Sequence, residues 1–143
     1  MARLESYSMD ERGAAAVEFA LVVPVAMTVL FAVFHLCFVT YAANSLHWAV
    51  EQAARCAAVG QINTGLSCGT TRATTQTYAA SLYQGPLVNP MFTASEVTDS
   101  TTGYCRQVYG SGTYRIILGV VNVDVPVNAT ACFPEQTGGT AWS

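Results

Sequence analysis

Apolar and polar positions divide the chain into three parts. Residues 1–13 are polar, with Arg3, Glu5, Asp10, Glu11 and Arg12 set among serines and a tyrosine. Phe19 to Val50 contains no Asp, Glu, Lys or Arg. Its apolar run, residues 19–41, exceeds the ~20 residues a helix needs to cross a bilayer. After Tyr41 the pattern changes without a break signal. Leu46, Val50, Ala53 and Ala57 recur at three- and four-residue steps and form one narrow apolar stripe. Asn44, Glu51, Gln52 and Arg55 lie mainly off it, and Glu51 stands four residues before Arg55, the favourable order for a helical ion pair. Gly60 follows the last periodic residue and suits a helix C-terminus. Residues 14–59 therefore read as one helix, about 69 Å long at ~1.5 Å per residue, and a bilayer core of ~30 Å takes less than half of that. The remainder is an amphipathic stalk.

Beyond Gly60 the chain is rich in Gly, Thr and Ser and reads mostly as strand. Segments 104–109 and 113–118 flank Gly110-Ser111-Gly112, which predicts a hairpin turning at those glycines. Val121, Val123, Val125 and Val127 alternate strictly with Asn122, Asp124, Pro126 and Asn128, the period of a strand with one apolar face. Pro126 confines that strand to a sheet edge or ends it. A second, short helix fits between Thr70 and Tyr83 despite its threonines, and 85–90 reads as a loop between Gly85-Pro86 and Pro90. The fold class is α+β: a long N-terminal helix, then a small antiparallel β-rich domain. The expected divisions are 1–13, a transmembrane half of the helix at 14–42, a stalk at 43–60 and the small domain at 61–143.

Composition sharpens this. The chain has 143 residues and a formal charge of −3, with 52% hydrophobic residues and only 10% charged, so one domain beside a membrane segment suits it better than an ordinary soluble fold. All six basic residues are arginines, too few and too scattered for a nucleic-acid partner. Disorder is excluded by the apolar content. A cleaved secretory signal would have an apolar core of ~7–15 residues followed by a cleavage site, whereas here the core is longer and the small residues after it keep a helical period.

Cys37 falls inside the span, while Cys56, Cys68, Cys105 and Cys132 fall beyond it. Four cysteines on the oxidising side of a membrane point to two disulfides, with three connectivities open. Cys56–Cys68 with Cys105–Cys132 is the preferred pairing, since it ties the helix end to the next loop and closes around the strands. A zinc site is the rival, but no CxxC is present and neither histidine is close to these cysteines in sequence. Cys37 reads as a small apolar residue with its thiol intact.

The membrane border carries the most information. In Arg12-Gly13-Ala14-Ala15-Ala16-Val17-Glu18-Phe19 a single carboxylate stands among small and apolar residues. Drawing it into lipid costs ~2.5–3.5 kcal/mol or more, so such a group is either interfacial or partnered. Were the chain cut after Gly13, Glu18 would lie one helical turn from a new positive amine at Ala14. Within a packed helix bundle the low dielectric strengthens such an attraction, in one subunit or between two. Pro24, early in the apolar run, lacks an amide hydrogen and would kink or open the helix, although neighbouring helices also tolerate such prolines.

A polar leader ending in glycine, a glutamate five residues beyond it and an apolar helix resemble the class III signal of type IV pilins and pseudopilins. More narrowly, the stretch from Arg12 to Pro24 resembles the start of the TadE-like family, minor pilins or pseudopilins of the Tad (Flp, type IVc) pilus, and the resemblance extends over roughly the first 60 residues. It implies cleavage of the Gly13–Ala14 bond by a membrane prepilin peptidase, with Ala14 as the mature N-terminus and Glu18 as the glutamate of the motif. It further implies the bacterial cytoplasmic (inner) membrane, a small domain outside the cytoplasm, other Tad pilins and pseudopilins as partners, and a part in a pilus involved in adhesion. Glycine at Gly13 offers no side chain to obstruct a protease that reaches the backbone.

Other residues carry less. His35 suits a contact with a neighbouring helix better than a proton relay. His47 and Trp48, where the stalk leaves the membrane, suit an interfacial anchor. Asn128-Ala129-Thr130 matches a glycosylation sequon by chance in a bacterial reading. No Ser-His-Asp set, paired carboxylates or phosphate loop emerges, so a non-enzymatic structural subunit without cofactor or metal is expected. The alternative is an uncleaved single-span protein presenting a small disulfide-bonded ligand-binding domain.

Overall fold

The structure, a computed structural model, describes residues 3–59, 68, 71–99, 103–118 and 121–134. Helix α1 spans Arg3–Val59, α2 spans Arg72–Leu82, and three strands follow: β1 (Val88–Asp99), β2 (Gly103–Leu118) and β3 (Val121–Pro134). The fold is α+β, a long apolar N-terminal helix followed by a small antiparallel sheet. The chain divides into two compact units, Met1–Cys37 and Phe38–Ser143.

α1 starts eleven residues before the expected Ala14. Residues 3–12 contain no Gly or Pro, and Leu4, Glu5, Met9, Glu11 and Arg12 are good helix formers, so nothing in this polar stretch interrupts the helix. At its other end α1 stops at Val59; the expected glycine stop at Gly60 lies outside the described residues.

In the second unit the stripe expected on α1 is buried, and it is wider than four residues. Ala42, Leu46, Ala49, Val50, Ala53, Ala54, Ala57 and Ala58 are all buried, in the i, i+4, i+7, i+8 progression of a core-facing helix. They join one core with Ala79 of α2, Leu87, Ala94 of β1, Val108 and Tyr114 of β2, and Val127 and Ala129 of β3, although Ala49 and Ala58 stand outside that cluster. Asn44, Glu51 and Arg55 stay exposed.

The sheet is an antiparallel meander in the order β1-β2-β3. β3 is an edge strand, which accommodates Pro126, and it continues past that proline to Pro134. β1 was not legible as a strand. Of the expected 85–90 loop, Val88 to Pro90 form the bulged start of β1, with Asn89 in the left-handed region (φ 50) that asparagine tolerates.

The expected hairpin at Gly110-Ser111-Gly112 is corrected. β2 runs through all three residues, each paired to β3, with Gly110 and Ser111 also paired to β1 and Gly112 opposite the β1 bulge. These glycines serve close packing rather than a turn. A Cβ on Gly110 would stand 2.8 Å from Val50 Cγ2, 2.9 Å from Leu46 Cδ1 and 3.2 Å from Phe92 Cε1. One on Gly112 would stand 3.0 Å from Leu87 Cδ1. Removing both side chains lets α1 and the loop after α2 press onto the backbone of the central strand.

α2 shows how the threonines enter a helix. Thr71 and Thr74 form a capping box: the Thr74 amide donates to Thr71 Oγ1 (3.2 Å), and the Thr71 amide donates to Thr74 Oγ1 (3.0 Å). Thr75 is fully buried and donates from its hydroxyl to the Thr71 carbonyl (3.1 Å). The following loop is tied to α1, where the Tyr41 hydroxyl donates to the Gln84 carbonyl (3.0 Å) and the Gln84 amide to Ser45 Oγ (3.4 Å). Tyr83 turns back over its own loop, accepts from the Leu87 amide (3.0 Å), and has its phenol pushed up chiefly by burial.

Both preferred disulfides are present. Cys56–Cys68 joins the end of α1 to the connection towards α2, with Cα atoms 6.0 Å apart. Cys105–Cys132 crosses from β2 to β3, with Cα atoms 5.7 Å apart. Both separations suit a bridge. Cys37 belongs to neither.

The arginines of β2 take opposite positions. Arg106 is buried, with Nη1 3.4 Å from Oε1 of Glu96, its direct partner on β1. Its partner on β3, Phe133, lies under the Arg55 guanidinium, 5.0 Å from Cζ to ring centroid. Arg115 is exposed and holds Asp124 in a two-point pair of 2.8 and 3.2 Å. The Arg115 hydrogen bond keeps the Asp124 carboxyl below the usual carboxylate range.

Three measurements check this description. Gly110→Val should lower stability by about 1–3 kcal/mol, the usual cost of overpacking a filled site, with Ser111→Ala close to neutral; thermal unfolding of the full chain in detergent followed by near-UV circular dichroism reads both. Thiol labelling of the unreduced, denatured protein should modify Cys37 alone, because the other four sulfurs are bridged. Cys105→Ala with Cys132→Ala should then cost about 2–4 kcal/mol. A depressed Asp124 pKa means that the pair contributes at neutral pH and is lost as pH falls through the folded-state value. Arg115→Gln should raise the Asp124 midpoint in an NMR titration towards that of an ordinary carboxylate.

Candidate processing and assembly segment

The residues that the sequence singles out at the membrane border all lie on α1. Gly13, Ala14 and Glu18 are exposed, and Ala14 and Glu18 are one helical turn apart, on the same face. A Cβ on Gly13 would meet nothing within 4 Å. Packing in this chain therefore gives no reason for glycine there, in contrast with Gly110, where the core demands it.

Around Glu18 the helix is bare. Val17, Phe19, Leu21, Val22, Val25, Leu30, Phe31, Phe34, Leu36 and Phe38 are each at least half exposed, Phe19 by 71%. In water such a surface is strongly unfavourable, at roughly 25 cal/mol per Å² of apolar area. A helix apolar all round belongs in lipid or among other helices. Residues 13–59 are long and apolar enough to cross a membrane.

α1 passes through Pro24. The Ala20 carbonyl there loses its amide donor, the local opening that a proline imposes. Four residues on, the Thr28 hydroxyl donates to the Val25 carbonyl at 2.8 Å, a side-chain bond that partly replaces water as a backbone partner. His35 is half-buried, among neighbours on α1 that are mostly exposed.

Cys56, Cys68, Cys105 and Cys132, the rival zinc ligands, are committed to the two bridges. Among the described residues no group of three His, Cys, Asp or Glu side chains converges as a metal site would. Arg106 and Glu96, which the sequence did not single out, form an ion pair within the sheet in which the arginine is buried and the glutamate half-buried. Their opposition is visible only once the β1–β2 register is known.

Residues 13–55 match the family model described as TadE-like protein, a stretch that opens at Gly13 and closes at Arg55. No curated protein and no solved structure matches the chain. Over residues 13–55, within its N-terminal helix, the chain is thus similar to TadE-like proteins.

Proposed function

We propose that this chain is a TadE-like minor pilin, or pseudopilin, cut between Gly13 and Ala14 by a prepilin peptidase in the bacterial cytoplasmic membrane. The mature subunit takes part in assembling a Tad/Flp-type adhesive pilus, with other Tad pilins and pseudopilins as partners. The observation that carries this reading is the stretch of α1 from Gly13 to Phe38: a largely exposed apolar surface bearing one carboxylate, five residues after a glycine that the chain's own packing does not require. Lipid covers that surface before assembly, and neighbouring helices cover it afterwards. Cleavage at Gly13 creates an ammonium at Ala14, and Glu18 then pairs with the ammonium of its own or an adjacent subunit inside the helix bundle. The weak local dielectric makes that pair a strong register-setting contact. Pro24 loosens the helix one and a half turns further on, where subunits must adapt to one another.

The test is intact-mass and N-terminal analysis of the protein from its native host. The mature form should begin at Ala14. A form that keeps Met1 would favour an uncleaved single-span protein, and one that begins near Ala43 would favour a secretory signal. Gly13→Val should accumulate as precursor, since a β-branched side chain blocks backbone access at the scissile bond. Because the site is open, this variant should keep its helical circular dichroism. Glu18→Ala should be cut normally yet remain in the membrane fraction, with fewer pili seen by electron microscopy. Normal piliation by both variants would count against an assembled role.

A further inference from the structure

The sheet has a second face, turned away from the core, and strand register arranges it as a grid of three rows. Val108 and Gly110 of β2 face the core, so Gln107, Tyr109 and Ser111 point outward. Tyr109 stands in the middle row, between Thr93 of β1 and Thr130 of β3. In the neighbouring rows Gln107 has Ser95 on its β1 side, and Ser111 has Asn128 on its β3 side. With ~4.8 Å between strands and ~6.8 Å between alternate residues, the three rows cover about 10 Å by 14 Å.

This face is open and its centre carries no charge. Tyr109 is 39% exposed, Thr93, Ser95, Asn128 and Thr130 are exposed, and Gln107 and Ser111 are half-buried. A soluble surface is ordinarily about a quarter or more charged. Along β2 the next charge on this face is Arg115, which the two-point pair commits to Asp124. The surroundings of Tyr109 are also held in place. Ser95 Oγ donates to Gln107 Oε1 (3.4 Å), which steadies that amide beside the ring. The Cys105–Cys132 bridge lies on the same face, with Cys132 opposite Gln107, and ties β2 to β3 there. The two flanking threonines are stiff at χ1, so little side-chain freedom remains to be lost on binding.

We propose that this sheet face binds an uncharged saccharide, with Tyr109 as the stacking platform and the surrounding hydroxyls and amides as its hydrogen-bonding rim. The chemistry of the grid selects this occupant over others. It holds no cation, so phosphate, sulfate or carboxylate groups find no partner, and nucleic acids and acidic glycans fit poorly. Only Tyr109 and Met91, opposite Ser111, are large and apolar, too little for a second sheet, whose packing needs a continuous apolar layer. A sugar ring presents the complement: C–H groups that pack on an aromatic ring, and hydroxyls that donate and accept as Thr, Ser, Asn and Gln do. Strand faces of small β folds hold oligosaccharides in this way. One shallow face binds weakly, and several copies on one surface multiply the effect. The proposal goes beyond the processing and assembly of α1, and holds whether or not the chain is cut at Gly13.

The test uses full-length protein in phosphatidylcholine nanodiscs, which carry no sugar. Neutral hexasaccharides of glucose, mannose and galactose are added, and saturation-transfer NMR reads their contact with the protein. At least one sugar should receive saturation beyond the level given by empty nanodiscs. Tyr109→Ala should weaken that binding about fivefold or more, whereas Tyr109→Phe, which keeps the ring, should retain most of it. Thr130→Arg, at an exposed position outside the core cluster, should obstruct the ring and abolish binding while near-UV circular dichroism stays unchanged. Trp48→Ala removes an exposed aromatic ring of α1 and should leave binding as it was. No transfer to any of the three sugars would overturn the proposal. So would transfer that survives Thr130→Arg or a folded Tyr109→Ala.

Discussion

The contact between Leu46, Val50 and the bare backbone of Gly110 governs the small domain. A helix whose inner face is mostly alanine has short side chains, so it buries them only by lying close to its partner. A central strand with a Cβ at Gly110 would hold that helix off and leave the alanines beside a void, with the dispersion contacts of a packed core lost. With glycine there, Ala42, Ala49, Ala53, Ala54, Ala57 and Ala58 all become buried. Each contributes little area, however, and a domain of this size has little to spare. The two disulfides secure regions that this contact serves least, the C-terminal end of α1 and the sheet face turned away from it.

The helix-facing side of the sheet is also graded from end to end. At one end the ion pair of Glu96 and the buried Arg106 lies beside Phe133, the cross-strand partner of Arg106, and Arg55 closes over that ring. In the middle glycine and small residues meet the helix. At the other end the inward row runs on as Val123 and Val121, where the core no longer covers it. The charged end closes the core and the apolar end remains open, so the domain is polarised along the strands.

Glycine shows most plainly how far a residue type can be read without its surroundings. Gly13, Gly110 and Gly112 are alike in the sequence. Gly13 has open space around it, whereas the other two admit side chains of α1 and of the loop after α2. A turn was the natural expectation for Gly110-Ser111-Gly112, because two strand-like segments flank it. Nothing local distinguishes a glycine that turns the chain from one that clears space for a helix distant in sequence. β1 was missed for a related reason. Its inward positions, Phe92, Ala94 and Glu96, include a charge, which breaks the apolar alternation until Arg106 is found opposite.

Features that depend on neighbours a few residues away or on solvent class were legible in the order of residues alone. These are the long apolar helix, its amphipathic continuation at three- and four-residue steps, the alternating β3, the exclusion of Pro126 from a central strand, and the Gly13–Glu18 spacing within the stretch that matches the TadE-like model. Only the tertiary structure decided the path of β2 through its glycines, the existence of β1, the burial of Arg106, and which end of the sheet accompanies which end of the helix. Local periodicity reports how a segment meets an apolar medium, but not which distant backbone supplies that medium. Such choices are made by steric fit and charge pairing between segments far apart in the chain.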